Sequence, residues 1–302
     1  MSLTAFTAAG RFWKGNLHTH SNQSDGALSP EDVCRRYRER GYDFLCLSDH
    51  FLPQFDYPLT DTRKFSTKEF TTIAGAELHA PATSGNELWH ILAVGLPYDF
   101  PRPSEGETGP QLARRAWEAG AFVALPHPDW YGLTVADAQS IPDAHAVEIY
   151  NHTSEVLFCR GGGVALVDAL LVAGRQVNIL ACDDAHFNFA DDRERDAFGA
   201  WVMVKAEENT EHALVQSLKQ GKYYSTQGPE IYDLRVYGQE LLVECSSASQ
   251  ITLLGGHSLA ERATGNSLQN AKLSLDRFEG ATGRLVIRDH DGKFAWSNPI
   301  TF

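Results

Sequence analysis

Asn16-Leu17-His18-Thr19-His20, followed by Ser24-Asp25-Gly26 and then Ser48-Asp49-His50, is the stretch of this chain whose reading decides the fold. Extended backbone has a side-chain period of two, so His18 and His20 leave a strand end on the same face. Two imidazoles on one face can share a metal ion. Between these segments, Ser29-Pro30-Glu31-Asp32 opens a helix. Ser29 suits the N-cap, Pro30 the first helical position, and the two acids complement the helix dipole. The helix is expected to stop at Gly41, and Phe44-Leu45-Cys46-Leu47 to form a second strand that delivers His50.

Working outward, further strands are expected over Thr71–Glu77, His90–Gly95, Ala121–Leu125, Ala146–Tyr150, Val177–Ala181 and Ala200–Val204, with helices over Gln111–Ala119, Val164–Ala173 and Glu211–Gln220. Strands alternating with helices indicate a mainly parallel sheet or a βα barrel. Past Gly228-Pro229 the helical period disappears. Ile231–Tyr237, Leu241–Cys245, Ile251–Leu254, Leu273–Leu275, Leu285–Arg288 and Phe294–Trp296 are short alternating runs between turn residues, which read as a small antiparallel β domain or sandwich. The expected division is residues 1–227 and 228–302.

Composition narrows the function. Of 302 residues, 43% are hydrophobic and 22% charged, the profile of a globular chain. The net charge of −13 argues against bulk nucleic-acid or anionic-membrane binding. Five cysteines with no CxxC pair fit a reducing compartment better than a disulfide framework. The most apolar stretch, Val164–Gly174, is broken by Asp168 and too short to span a bilayer. The first ten residues carry no secretory-signal pattern, so a cytoplasmic location is expected.

The chemistry is concentrated in nine residues. His18, His20, Asp25, His50, Glu77, His90, His127, Asp184 and His186 nearly all fall at or just past the carboxyl end of an expected strand, where βα folds gather their sites. Any one of them alone reads as an ordinary surface or core residue. Nine ligand-type residues at equivalent positions read as a metal site.

In their order, Asn16-Leu17-His18-Thr19-His20, Ser24-Asp25-Gly26, Ser48-Asp49-His50, Glu77, His90, Pro126-His127-Pro128 and Asp184-Ala185-His186 resemble the PHP (polymerase and histidinol phosphatase) family, over roughly residues 13–225. The resemblance implies a distorted (β/α)7 barrel with two or three divalent ions (Mn, Fe or Zn) at its mouth, followed here by the small all-β domain. It assigns His18, His20, Glu77 and Asp184 to one ion, Glu77, His90 and His127 to a second, and Asp25, His50 and His186 to a third. It implies hydrolysis of a small-molecule phosphoester by a metal-activated hydroxide. Three such ions against three carboxylates and one hydroxide leave about two positive charges, enough to hold a phosphate dianion on an acidic chain. Asp183 stands where the family often has serine, and the DxH spacing favours Asp184 as the ligand.

Other residues are weaker candidates. Asn151, His152, Arg160 and Gly161 precede or enter Gly161-Gly162-Gly163, a run that can offer backbone N–H groups to an anion or serve as a connector. His152 is a candidate leaving-group acid, and Arg160 a candidate anion contact. Arg193 and Arg195 either meet phosphate or pair with Asp191, Asp192 and Glu194. Asp49 is expected to orient its neighbours. His79, His145, His212, His257 and His290 belong to no constellation and read as surface or core. Phe294-Ala295-Trp296-Ser297-Asn298-Pro299-Ile300 and the appended β domain look similar to the carbaryl-hydrolase (CehA/McbA) type of PHP relative. In that branch a carboxylic or carbamate ester can be the substrate. A non-catalytic scaffold is the third reading.

Overall fold

In the computed structural model, which describes residues 3–302, the strands of the chain form one continuous mixed sheet with helices packed on it. The elements run α1 (Thr4–Thr7), β1 (Arg11–Asn16), α2 (Pro30–Glu39), β2 (Phe44–Leu47), β3 (His50–Phe51), β4 (Thr71–Ala80), β5 (Trp89–Val94), α3 (Gly109–Glu118) and β6 (Phe122–Leu125). Then follow α4 (Pro128–Tyr131), α5 (Val135–Ser140), β7 (Ala146–Asn151), α6 (His152–Phe158), α7 (Val164–Val172), β8 (Asn178–Cys182), β9 (Trp201–Ala206), α8 (Glu211–Lys219) and β10 (Tyr223–Thr226). The remainder is all strand: β11 (Ile231–Tyr237), β12 (Glu240–Gly255), β13 (Ala260–Ser274), β14 (Thr282–Arg288), β15 (Phe294–Ser297) and β16 (Ile300–Thr301).

Local chemistry sets the helix starts. The Ser29 hydroxyl accepts from the Asp32 N–H with Pro30 at the first position of α2, and Thr108 with Gln111 forms a capping box on α3. Each such cap is worth about 1 kcal/mol.

The sheet order is β10-β9-β1-β2-β4-β5-β6-β7-β8 through the first part of the chain. β1, β2 and β4 are parallel neighbours, as are β6, β7 and β8, whereas β5 runs antiparallel to both β4 and β6 and β9 antiparallel to β1. Beyond β8 the chain returns to the first strand: the Asp184 N–H donates to the His18 carbonyl, the His20 N–H donates to the Ala185 carbonyl, and Thr19 bridges Ala185 in parallel.

The period of two explains where the site sits. Ile73, Leu92, Phe122, Ala146 and Leu180 share one core cluster. Continuing along the same faces are Glu77 and His79 on β4, His90 on β5 and Glu148 on β7. One end of the concave face is therefore apolar and the other carries the ligand-type residues. His90 begins its strand because β5 is reversed, and its register opposite His79 brings it to that same end.

The C-terminal strands build a further core around Leu234, Val243, Ile251, Phe278, Leu285 and Ile287, which also takes in Tyr224 of β10, while Trp296 joins a core of the first part. They are hydrogen-bonded to the rest of the sheet, since β15 pairs with β10. Leu241–Cys245 and Ile251–Leu254, expected as two strands, are one sixteen-residue strand with register shifts between Glu244 and Gln250. Its first half lies beside β11 and its second beside β14. Of the expected run Leu273–Leu275, Leu273 and Ser274 close β13. The rest of that strand pairs along β12 with its side chains largely exposed, so no alternation marks it. Among the described residues no helix is long and apolar enough to cross a membrane.

Candidate metal centre

The nine residues singled out by the sequence converge on one cluster, buried around Glu77 and exposed at Asp25. Glu77 lies at its centre with no solvent exposure. Its Oε1 is 2.7 Å from His90 Nδ1 and 3.0 Å from His127 Nε2. Its Oε2 is 2.7 Å from His50 Nδ1 and 3.6 Å from the Nε2 atoms of both His18 and His20. Asp184 Oδ1 lies 3.1 Å from His18 Nε2 and 2.9 Å from His20 Nε2. Towards the mouth, the Asp25 carboxylate is 3.4 Å from both His50 Nε2 and His186 Nε2.

Single ligand atoms from several subsets lie within 4.8 Å of one another: Glu77, His90 and His127; His18, His20 and Glu77; His18, His127 and Asp184; and His20, Asp25, His50 and His186. The backbone adapts to aim two of these side chains. His127 (φ 31°) and Asp184 (φ 60°) both adopt left-handed conformations that a β-carbon disfavours.

The donor set fits divalent cations. His18 Nε2, both ring nitrogens of His20, Glu77 Oε2 and Asp184 Oδ1 are buried without a hydrogen-bond partner, a costly arrangement for atoms facing only one another. Burial opposes charge on His18, but the Asp184 and Glu148 carboxylates outweigh it and hold its pKa well above the imidazole value. Burial and the neighbouring His186 and His50 push His20 down to about 4. Burial works against ionising Glu77, yet the surrounding imidazoles hold its pKa well below the carboxylate range. A mixed set of imidazole and carboxylate donors suits Zn, Fe and Mn alike.

Two participants escaped the sequence reading. Glu148 is fully buried and accepts from His18 Nδ1 (2.9 Å), the His127 N–H (2.7 Å) and Asn151 Nδ2 (2.8 Å). It thereby places the His18 proton on Nδ1 and leaves Nε2 free to ligate. Its signal was a lone acid in the apolar run Ala146–Tyr150. His79, expected as surface or core, is buried with Nε2 2.9 Å from His50 Nδ1 and Nδ1 3.1 Å from the Trp89 carbonyl. It forms a further candidate group with His50 and Glu77, and its signal was the two-residue spacing from Glu77.

Asp49 behaves as expected of an orienting residue. Its carboxylate accepts from the Ser21 N–H (2.7 Å) and from the hydroxyls of Ser21, Ser24 and Thr60, which ties down the loop bearing Asp25. Asp183 is turned away from the cluster, accepting from the Tyr37 hydroxyl and three backbone N–H groups of residues 198–200. Burial raises its pKa to about 7.

The expected substrate contacts are placed differently. Asn151 is fully buried and holds Glu148 and Asp184 rather than facing the cavity. His152 sits outside the cavity lining, 3.1 Å from the Tyr150 hydroxyl and packed so closely on Gly199 that a β-carbon there would lie 2.2 Å from its ring. Arg160 is exposed and reaches the Trp130 carbonyl at 3.4 Å. The Gly161 N–H is taken by the Glu155 carboxylate and its carbonyl by Asn151. A β-carbon on Gly163 would lie 2.0 Å from the Glu148 carbonyl oxygen, so close packing accounts for the glycine run. Arg195 pairs with Asp191 and covers the Phe189 ring.

The cluster opens into a cavity of about 370 Å³ lined by Asp25, His50, His90, His127, Asp184 and His186 on one side and by Trp130, Leu157, Phe158 and Phe189 among others. No lysine or arginine lines it.

The fold is similar to that of a solved structure of low sequence identity. A two-domain protein from Bacteroides vulgatus containing a predicted PHP-like metal-dependent phosphoesterase superposes with a TM-score of 0.56 at 14% identity, over 98% of this chain and 98% of that one. A candidate metal-dependent phosphoesterase from Bifidobacterium adolescentis gives 0.42 at 14% identity, over 57% of this chain and 87% of its own. An amidohydrolase from Chromobacterium violaceum, with bound sulfate and no metal, gives 0.40 at 13% identity over the same shares. No protein-family profile and no curated protein sequence matches the chain.

Proposed function

We propose that this chain is a metal-dependent hydrolase cleaving a phosphoester of a small molecule, with its sheet acting as the distorted seven-stranded barrel of the PHP type. The observation that carries this reading is the buried Glu77 carboxylate lying within 3.6 Å of ring nitrogens of His18, His20, His50, His90 and His127. His18, His20, Glu77 and Asp184 would hold one ion, Glu77, His90 and His127 a second, and Asp25, His50 and His186 a third. Two or three ions of Mn, Fe or Zn would supply Lewis acidity and lower the pKa of a water towards neutrality.

The chain's own residues do the rest. Glu148 sets the His18 tautomer, and Asn151 fixes both Glu148 and Asp184. Asp49 secures the Asp25 loop. The walls of the cavity exclude bulk water and orient the substrate.

A second reading keeps the ions and changes the bond to a carboxylic or carbamate ester. It is favoured by the cavity lining, which is apolar opposite the cluster and holds no cationic side chain. Both readings are tested by loading the protein with Mn, Fe or Zn and measuring phosphate release and ester cleavage, with His18→Ala as control. Phosphate release that vanishes in the control supports the first reading. Cleavage of carboxylic or carbamate esters alone supports the second.

A further inference from the structure

The half of the cavity facing away from the ligand cluster has no role in metal binding, and its composition is specific. Leu157 and Phe158 close α6 at 50% and 52% exposure, a wasteful position for large apolar side chains unless something covers them. Trp130 lies beside them in the lining: its ring is 6.1 Å from Phe158, and 5.3 and 5.1 Å from the ligand-type residues His90 and His127 in edge-to-face contact. Phe189 completes the wall, and Arg195, whose guanidinium lies over its ring, is not among the residues that line the cavity.

Polar recognition is sparse on this side. The Thr153 hydroxyl donates to the Asp184 carbonyl, and both Asp196 oxygens accept backbone N–H groups of residues 186 and 187. A sugar or nucleotide needs several unengaged donors and acceptors, and the wall offers few.

We propose that Trp130, Leu157, Phe158 and Phe189 form the subsite for a neutral aromatic or bulky aliphatic group of the substrate, held next to a scissile ester placed at the cluster. This rests on the ester-hydrolase reading above and narrows it: sugar phosphates and nucleotides are poor substrates, and esters of apolar alcohols or phenols good ones. Trp130 joins the two halves, since the same ring touches His90, His127 and Phe158. The apolar group therefore binds beside the reacting bond, where its burial aids both binding and alignment.

The test uses metal-loaded full-length protein and the double variant Leu157→Ala/Phe158→Ala, with metal content measured for both. Binding of 4-tert-butylphenol is followed by titration calorimetry. Turnover is compared for 4-nitrophenyl and methyl esters of phosphate and of acetate. The subsite predicts measurable binding to the parent protein, weakened about tenfold or more in the variant. For whichever acid is hydrolysed, the 4-nitrophenyl to methyl ratio of kcat/KM falls by a similar factor. Binding that drops in the variant while neither protein hydrolyses any ester keeps the subsite and overturns the hydrolase reading. Absence of binding, or equal binding to both proteins at equal metal content, overturns the subsite whatever the turnover shows.

Discussion

The two parts of the sheet use strands in opposite ways. From β1 to β8 the strand ends hand polar side chains to one cluster. His18, His20, Asp49, Glu77, His79, His127, Glu148 and Asp184 are buried in and around it. In the C-terminal part β12 and β13 run to sixteen and fifteen residues and pair as a hairpin, and the side chains buried there are mostly apolar. Every candidate metal group among the described residues lies between His18 and His186. A region that concentrates unpartnered imidazoles and carboxylates sacrifices stability at that point, because buried polar atoms without partners are costly. A region of alternating apolar strands has no such cost and can brace its neighbour through the β10–β15 pairing.

The contrast can be broken at either end. The largest effect is expected from Glu77→Ala, which removes the one carboxylate common to most of the donor groups. Bound metal measured by inductively coupled plasma mass spectrometry should collapse, and activity should fall by more than the roughly 100-fold seen when an outer partner is lost. Retention of full metal content would show that the imidazoles and Asp184 suffice. Phe278→Ala strikes the other region, where the ring is fully buried. It should cost about 3–5 kcal/mol in denaturant unfolding. Continuity of the sheet predicts that the whole chain shifts in one transition, while two separated transitions would show that the regions unfold independently.

A finer test of the first region is Glu148→Gln, which keeps the shape but weakens the hold on the His18 Nδ1–H. Metal affinity should fall roughly 10–100-fold with the fold intact. Thr108→Ala removes the α3 capping box and should cost about 1 kcal/mol without altering metal content.

The smallest effect concerns His145, remote from the cluster. Its ring stacks on Phe122, and its Nδ1 accepts from the Val123 N–H at 3.0 Å. Burial, aided by Lys219, pushes its pKa down to about 4. The unfolded chain takes up this proton near pH 6.5 and the folded chain only near 4. His145 therefore contributes stability that is complete above pH 6.5 and is lost as the pH falls towards 4. Replacing it with Gln should flatten the stability profile between pH 7 and pH 5 by at most about 1 kcal/mol after solvent screening. An unchanged slope in urea midpoints would remove His145 as its source.

Much of this was legible in the residues. Ser29 and Pro30 start α2 where they were expected to, and the strands that carry Glu77, His90 and Asp184 fall close to their expected spans. These features are local, set by caps, periods and turn residues. Glu148 and His79 were passed over because each is a single residue whose partner lies far along the chain: His18 for the first, His50 for the second. Most of β13 was missed because its half-buried positions carry few apolar residues, so little alternation can be read there.

What the sequence determined by itself was therefore the inventory: which residue types stand at strand ends, and in what order. Only the tertiary structure decided how they are shared. The reversal of β5, the return of the chain from Asp184 to His18, and the left-handed turns at His127 and Asp184 bring the donors to one face. The structure also left His152, Arg160 and Gly161 out of the cavity lining and put Trp130 and Phe158 in it. The physical reason is that a side chain's aim depends on strand direction and long-range pairing, and neither is encoded in the spacing of neighbouring residues.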